Sequence, residues 1–114
     1  MLGRYLAQTP DEERCQDPNP VVAIIGCAGV MEDPEEKQEN FVVAFNNRGS
    51  AYNDKGEYDR AIQDFDEAVR LDPNNAQPLN NREAVLRDLG QNARAAADFA
   101  KARLLNPSLP PPPK

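Results

Sequence analysis

The chain has 114 residues, of which 13 are Lys or Arg and 19 are Asp or Glu, so its formal net charge is −6. This length fits one compact domain. An acidic excess argues against a nucleic-acid partner, which is bound largely through basic side chains, and equally against a membrane surface. The chain has no His and only two Ser and two Cys, which removes the usual catalytic and zinc-ligating sets. Composition therefore predicts a non-enzymatic protein without metal or cofactor.

The most apolar stretch of the chain lies in its N-terminal third. Residues 21–31 are all apolar or small, but this run is too short to span a bilayer, so no transmembrane segment is expected. Residues 1–9 hold one Arg and few apolar side chains, unlike a secretory signal. We therefore expect a cytoplasmic protein, or a periplasmic one if a signal peptide has been removed.

Two helix starts are recognisable in this N-terminal third. Asn19 followed by Pro20 has the form of a helix cap and first residue, with the apolar run as the body of the helix. Asp33 followed by Pro34 and two glutamates predicts a second start, from which one unbroken helix runs to about Asp54. The two helices are expected to pair antiparallel, which makes the first of them an N-terminal cap.

The sequence repeats itself at an offset of 34 residues. The first unit contains Asn46, Asn47, Arg48, Asp54, Gly56, Arg60, Ala61, Asp64, Phe65, Ala68, Leu71 and Pro73, and each recurs 34 positions later. Both units hold two stretches with helical apolar spacing, separated by Gly56 or Gly90 and followed by Pro73 or Pro107. Each unit is therefore predicted to be a helix-turn-helix, and the fold class is all-α with five helices.

These residues resemble the tetratricopeptide repeat, a helical hairpin that stacks into an α-solenoid. The family's signature positions fall on Phe45, Gly49, Tyr52, Gly56, Tyr58, Ala61, Phe65, Ala68 and Pro73. In the second unit Glu83, Leu86 and Asn92 replace three of them, so that unit is diverged. The likeness is to small bacterial proteins of this family. It implies repeats at 42–75 and 76–109. The helix starts and the C-terminal prolines divide the rest into an N-terminal segment at 1–19, a capping helix and start of the long helix at 20–41, and a proline-rich tail at 110–114.

In this family, the first helix of each repeat lines a concave groove that holds a peptide. The resemblance places the groove on Val43, Asn46, Asn47, Ser50, Asn53, Gln77, Asn80, Asn81, Ala84 and Arg87. An Asn amide donates to a peptide carbonyl and accepts from a peptide N–H, and family members often use an Asn at the places of Asn47 and Asn81. The basic residues that clamp an acidic C-terminus in other members are absent here. The alternative for the Asn cluster is a solvated polar face.

Each unit carries an Arg in its first helix and an Asp in its second. The two pairs are Arg48 with Asp64 and Arg82 with Asp98. This repeated pairing predicts an ion pair that ties the two helices together. Charge is also uneven, with a net −6 in residues 1–41 and +3 in residues 76–114. Such asymmetry suits head-to-tail association or an acidic partner on the second repeat, and a solvated surface is the alternative.

Cys15 and Cys27 are the only cysteines, and without His they lack the further ligands of a metal site. They form either a disulfide or two free thiols. The stretch around them resembles the leading part of some exported bacterial repeat proteins, and a disulfide would favour an oxidising compartment. The five prolines after residue 106 predict an extended tail, which is either solvated or a short proline-rich ligand for another domain.

The sequence as a whole predicts an interaction adaptor that binds a protein or peptide ligand in the groove. The alternative is a structural unit whose exposed faces join identical chains. Residues 21–31 carry no polar side chain, and a helix that is apolar all round is expected to be buried all round. Either a second copy covers it, as in a homodimer, or Leu2, Tyr5 and Leu6 fold over it.

Overall fold

Six helices make up the part of the chain that the computed structural model describes, residues 10–110. They are α1 (Asp11–Arg14), α2 (Pro20–Glu32), α3 (Gln38–Asp54), α4 (Tyr58–Leu71), α5 (Ala76–Asp88) and α6 (Asn92–Leu105). These residues contain no strand, so the fold is all-α, and each helix packs against its neighbours in chain order as in an α-solenoid. The predictions for Leu2, Tyr5 and Leu6 and for the tail after Pro110 fall outside the described residues.

Of the two helix starts predicted near the N-terminus, one is confirmed and one is wrong. α2 begins at Pro20, and the Asn19 side chain accepts a backbone N–H at 3.0 Å, which confirms this cap. The unbroken helix from Pro34 is wrong, because α3 begins only at Gln38. The Asp33 carboxylate instead accepts the N–H two residues on at 2.9 Å and stabilises a turn. This turn is what reverses the chain between α2 and α3.

The short helix α1 was not anticipated from the sequence, and it lies directly on α2. Gly26 makes the contact close, since a Cβ atom there would stand 2.5 Å from the Cys15 backbone nitrogen. Cys15 and Cys27 are joined in a disulfide at this contact, with their Cα atoms 4.4 Å apart. Both cysteines are buried, in a cluster with Val30 and Ala44. The N-terminal cap therefore consists of α1 and α2, held together by a covalent bond and packed on α3.

The apolar helix α2 is not buried on every side by residues 10–110. Ala23 and Val30 are each 3% exposed on its buried side. Val21 and Ile25, on the opposite side, are 51% and 55% exposed. The expectation of burial all round is therefore not met within the described part of the chain, and an apolar surface of α2 remains open to solvent.

Both hairpins turn at a glycine with a left-handed backbone, because Gly56 and Gly90 each have a φ of +78°. After Gly56, the Glu57 N–H donates to the Tyr52 carbonyl at 2.9 Å, and an equivalent bond of 2.8 Å follows Gly90. This arrangement is the Schellman motif, which needs a residue that tolerates positive φ. The predicted helix stops are confirmed.

The core of the first hairpin centres on an aromatic side chain that meets a glycine. Phe65 is 1% exposed and packs with Ala61 and with Val85 of the second hairpin. A Cβ atom at Gly49 would lie 2.6 Å from Phe65 Cε1, so only a glycine leaves room for the ring. The equivalent ring of the second hairpin, Phe99, is only half-buried. The same repeat position thus has two different environments.

An arginine-aspartate pair ties the two helices of each hairpin, as predicted. Arg48 donates from Nε and Nη2 to the two carboxylate oxygens of Asp64, both at 2.8 Å. Arg82 makes the same contact with Asp98 at 2.7 Å, and its Nη1 also donates to Asp66 of α4 at 2.8 Å. These hydrogen bonds raise the pKa of both guanidinium groups. Arg82 therefore connects the two hairpins as well as α5 with α6.

Candidate functional site

The predicted groove residues lie on α3 and α5, which contact each other. Two of them, Val43 and Gln77, are exposed, and Asn46 is buried. The other seven are half-buried: Asn47, Ser50, Asn53, Asn80, Asn81, Ala84 and Arg87. The ten side chains therefore occupy different depths, and they do not form one uniform surface.

Two of the predicted amides bond to each other across the hairpins. Asn81 Nδ2 donates to Asn46 Oδ1 at 2.8 Å, and Asn46 is only 6% exposed. A buried amide needs such a partner, because an unpaired polar group in the interior is costly. The bond therefore stabilises the packing of α3 on α5, and it puts Asn46 beneath the groove surface. Asn81 Oδ1 has no hydrogen bond to another described residue.

The groove beside α3 is narrowed by the N-terminal cap. Asn47 and Ser50 line a cavity of about 180 Å³ together with Cys15 and Asp17. Asn47 also lines a cavity of about 70 Å³ with Val43, again bounded by Cys15. The Asn47 amide nitrogen lies 3.9 Å from the Cys15 sulfur. The cap thus occupies much of the surface through which a peptide would reach Asn47.

A larger cleft, of about 760 Å³, opens beside the N-terminal half of α5. Its lining residues are Asp72, Asn74, Asn75, Ala76, Gln77, Asn80, Asn81, Leu105, Asn106 and Leu109. Six of these residues carry amides, one is charged, and the two leucines form an apolar wall. Three of the predicted groove residues, Gln77, Asn80 and Asn81, therefore come together here. We call this cavity the amide cleft.

The amides of the amide cleft differ in how far they are engaged within the protein. Asn75 Oδ1 accepts the Gln77 N–H at 3.0 Å and caps α5. Asn106 Oδ1 accepts the Ser108 hydroxyl at 2.6 Å. The side chains of Gln77 and Asn80 make no hydrogen bond to another described residue. These two side chains are therefore available to a ligand without the loss of an internal bond.

The remaining predicted residues lie toward the C-terminal ends of their helices. Arg87 Nη1 donates to Glu83 Oε1 at 2.6 Å, and Glu83 is 5% exposed. A buried carboxylate needs this countercharge, so Arg87 is engaged in the protein. Asn53 lies half-buried on α3 without a side-chain hydrogen bond to a described residue, and Ala84 lies half-buried on α5. None of these residues lines the amide cleft.

The walls of the amide cleft include residues that sequence reasoning missed. Asn74 comes from the link between α4 and α5, whereas Leu105, Asn106 and Leu109 come from the end of α6 and the residues beyond it. Because these segments lie far apart in the sequence, only the folded chain brings them together. The consecutive amides that follow Pro73 were the one local sign of a polar surface at this place.

The described residues offer no support for two other kinds of site. Among residues 10–110, no three His, Cys, Asp or Glu side chains are arranged so that they could hold a metal ion. None of the helices in this part of the chain has the length and apolar character needed to cross a membrane. The amide cleft is therefore the site with the clearest shape and chemistry.

Comparison with known proteins agrees with the repeat architecture. Residues 42–75, which span α4 and most of α3, match the family model of the tetratricopeptide repeat. No curated protein matches the chain. Repeats of this family are generally protein-protein interaction modules and typically non-enzymatic scaffolds. The matched hairpin, the all-helical fold and the solenoid packing together show that the chain contains a tetratricopeptide repeat at residues 42–75.

Proposed function

We propose that this protein binds an extended, uncharged peptide segment of a partner protein in the amide cleft. The observation that carries the proposal is the combination of free amides with an apolar wall. An extended peptide presents N–H and C=O groups in alternation, and an amide side chain satisfies either of them. Gln77 and Asn80 supply this contact, while Leu105 and Leu109 accept an apolar side chain of the peptide.

The charge of the amide cleft argues against an acidic ligand. Asp72 is the one ionisable residue among those that line it. A basic clamp is needed to hold a peptide C-terminal carboxylate, since an unpaired carboxylate loses its hydration on burial. The ligand is therefore an internal segment of the partner and not its C-terminus.

The second hairpin, which forms much of the amide cleft, has the backbone dimensions of a repeat of the same family. α6 has 14 residues, as α4 has, and α5 ends 34 residues after α3. The glycine turns also have the same φ. We therefore interpret residues 76–109 as a tetratricopeptide repeat that keeps its backbone while its side chains have changed.

The test is to select binders for the full chain from a displayed library of short random peptides. Substitution of Gln77 or Asn80 by Ala should weaken the selected peptides about tenfold or more, because each change removes one hydrogen bond to the ligand. Asn47→Ala is the matched control, since Asn47 is a groove amide of the first hairpin outside the amide cleft. Peptides that lose affinity only with Asn47→Ala would contradict this location, and an absence of any binder would contradict the proposal itself.

Self-assembly is a second candidate function, favoured by a separate observation. Val21 and Ile25 present apolar side chains that are more than half exposed. Contiguous exposed apolar surface in a small protein usually marks a contact with another molecule. The homodimer expected from the sequence stays a prediction. Self-association through α2 would not involve the residues of the amide cleft.

A further inference from the structure

The outward faces of α4 and α6 hold equivalent positions but opposite chemistry. On α4 these positions are Asp59, Gln63, Asp66 and Arg70, and on α6 they are Ala93, Ala97, Ala100 and Leu104. All eight residues are exposed, and Leu104 is 84% exposed. The polar set is what a solvated helix face requires. Replacement of every member by an apolar residue indicates that the α6 face is adapted to a contact.

A second apolar face with the same spacing lies at the other end of the chain. On α2 the apolar residues are Val21, Ile25 and Ala28, separated by four and three positions as are Ala93, Ala97 and Ala100 on α6, and the acidic Glu32 follows at the fourth position. This spacing puts the side chains in one row along a helix. Val21 and Ile25 are more than half exposed. α2 and α6 have 13 and 14 residues, so the two rows are of nearly equal length.

The two faces are complementary in size and in charge. α2 offers branched side chains, Val21 and Ile25, and α6 offers alanines between which such side chains can insert. α6 carries exposed Arg94, Lys101 and Arg103 beside its row. Residues 10–41, which include α2, hold nine acidic and two basic side chains. An α2 face and an α6 face therefore attract each other, whereas two copies of the same face would bring like charges together.

We propose that the α2 face of one copy packs on the α6 face of a second copy, so that the protein associates head to tail. Such a contact is heterologous, because it uses different surfaces on the two partners. Each copy then keeps one free α2 face and one free α6 face, and the contact repeats into a ring or an open filament.

The experiment compares single variants with their mixture, using the full chain. Ile25→Glu places a charge on the α2 face, and Ala97→Glu places one on the α6 face. The matched control is Gln63→Glu, which makes the same change at the position of α4 equivalent to Ala97. All three positions are on exposed surfaces, and circular dichroism checks that helicity is retained.

Sedimentation should show wild type and Gln63→Glu with a mass that rises with concentration beyond two chains of 12.6 kDa. Each of the other two variants should associate at least about tenfold more weakly. Their equimolar mixture should recover a complex of two chains and no more, because one intact α2 face meets one intact α6 face. This recovery distinguishes a head-to-tail contact from a two-fold one.

Three results would overturn the proposal. The first is a wild-type mass of one chain throughout the micromolar range. The second is a variant Ala97→Glu that associates as wild type does while Ile25→Glu does not, since that would mean a two-fold contact through α2. The third is a mixture that stays monomeric. The peptide affinity of the amide cleft is unaffected by any of these results, because Ile25 and Ala97 do not line it.

Discussion

In the first hairpin Phe65 is 1% exposed between Gly49, Ala61 and Val85, whereas its equivalent in the second hairpin, Phe99, is half-buried. The backbones of the two hairpins are alike in helix length and turn geometry. The first, however, has the N-terminal cap on one side and α5 on the other, whereas among residues 10–110 the second has only the first hairpin as a neighbour. The stability that one repeat residue contributes thus depends on its neighbours more than on its identity.

The sharpest test of this difference is the loss of the aromatic ring from each hairpin. Phe65→Ala should lower the free energy of unfolding by about 3–5 kcal/mol, since it leaves a cavity in a closed core. Phe99→Ala should cost about 1–2 kcal/mol, because its ring already lies partly in water. Urea unfolding of both variants measures these costs. Equal losses would mean that the second hairpin is as well covered as the first.

The disulfide tests how far the cap protects the first hairpin. Reduction of the Cys15–Cys27 bond should destabilise the protein by about 3 kcal/mol, because the bond restricts a short loop of the unfolded chain. Hydrogen exchange should then accelerate in α2 and α3 before it does in α6. The double variant Cys15→Ser, Cys27→Ser serves as the control and should not respond to a reductant. Two reactive thiols in unfolded, unreduced protein would show that the bond is absent.

The ion pairs give the smallest of the three differences. Asp64→Ala removes both hydrogen bonds of Arg48 to a carboxylate and should cost about 2 kcal/mol. Asp98→Ala should cost about 1 kcal/mol, because Arg82 keeps Asp66 as a partner. Thermal unfolding at neutral pH compares the two variants. A larger loss for Asp98→Ala would indicate that the pair within the second hairpin matters more than the contact between hairpins.

Local signals in the sequence were sufficient for most of the fold. The glycines at 56 and 90, the cap at Asn19 and the two Arg-Asp pairs depend on near neighbours or on the repeat, and all are confirmed. The helix from Pro34 was wrong because the carboxylate of Asp33 has two competing uses, a helix cap and a turn, and the local sequence does not decide between them. The short helix α1 has only 4 residues, too few for a periodic pattern.

The candidate site was harder to predict from the sequence than the fold was. The repeat register led to Gln77, Asn80 and Asn81, which share one cleft. It could not reveal that Asn46 bonds to Asn81, since that contact depends on how two hairpins dock. Nor could it show that Cys15 of the N-terminal cap narrows the groove at Asn47, or that Leu105 and Leu109 form the opposite wall. These features arise from segments that meet only after folding.

The two glycine turns leave the same edge of the molecule free for engineering. Leu89, beside the turn at Gly90, lies near Gly56, so both turns belong to one side of the solenoid. The amide cleft is at the opposite ends of the helices, beside the start of α5 and the end of α6. A fluorophore attached at Leu89 would therefore leave a ligand's access to the amide cleft unobstructed.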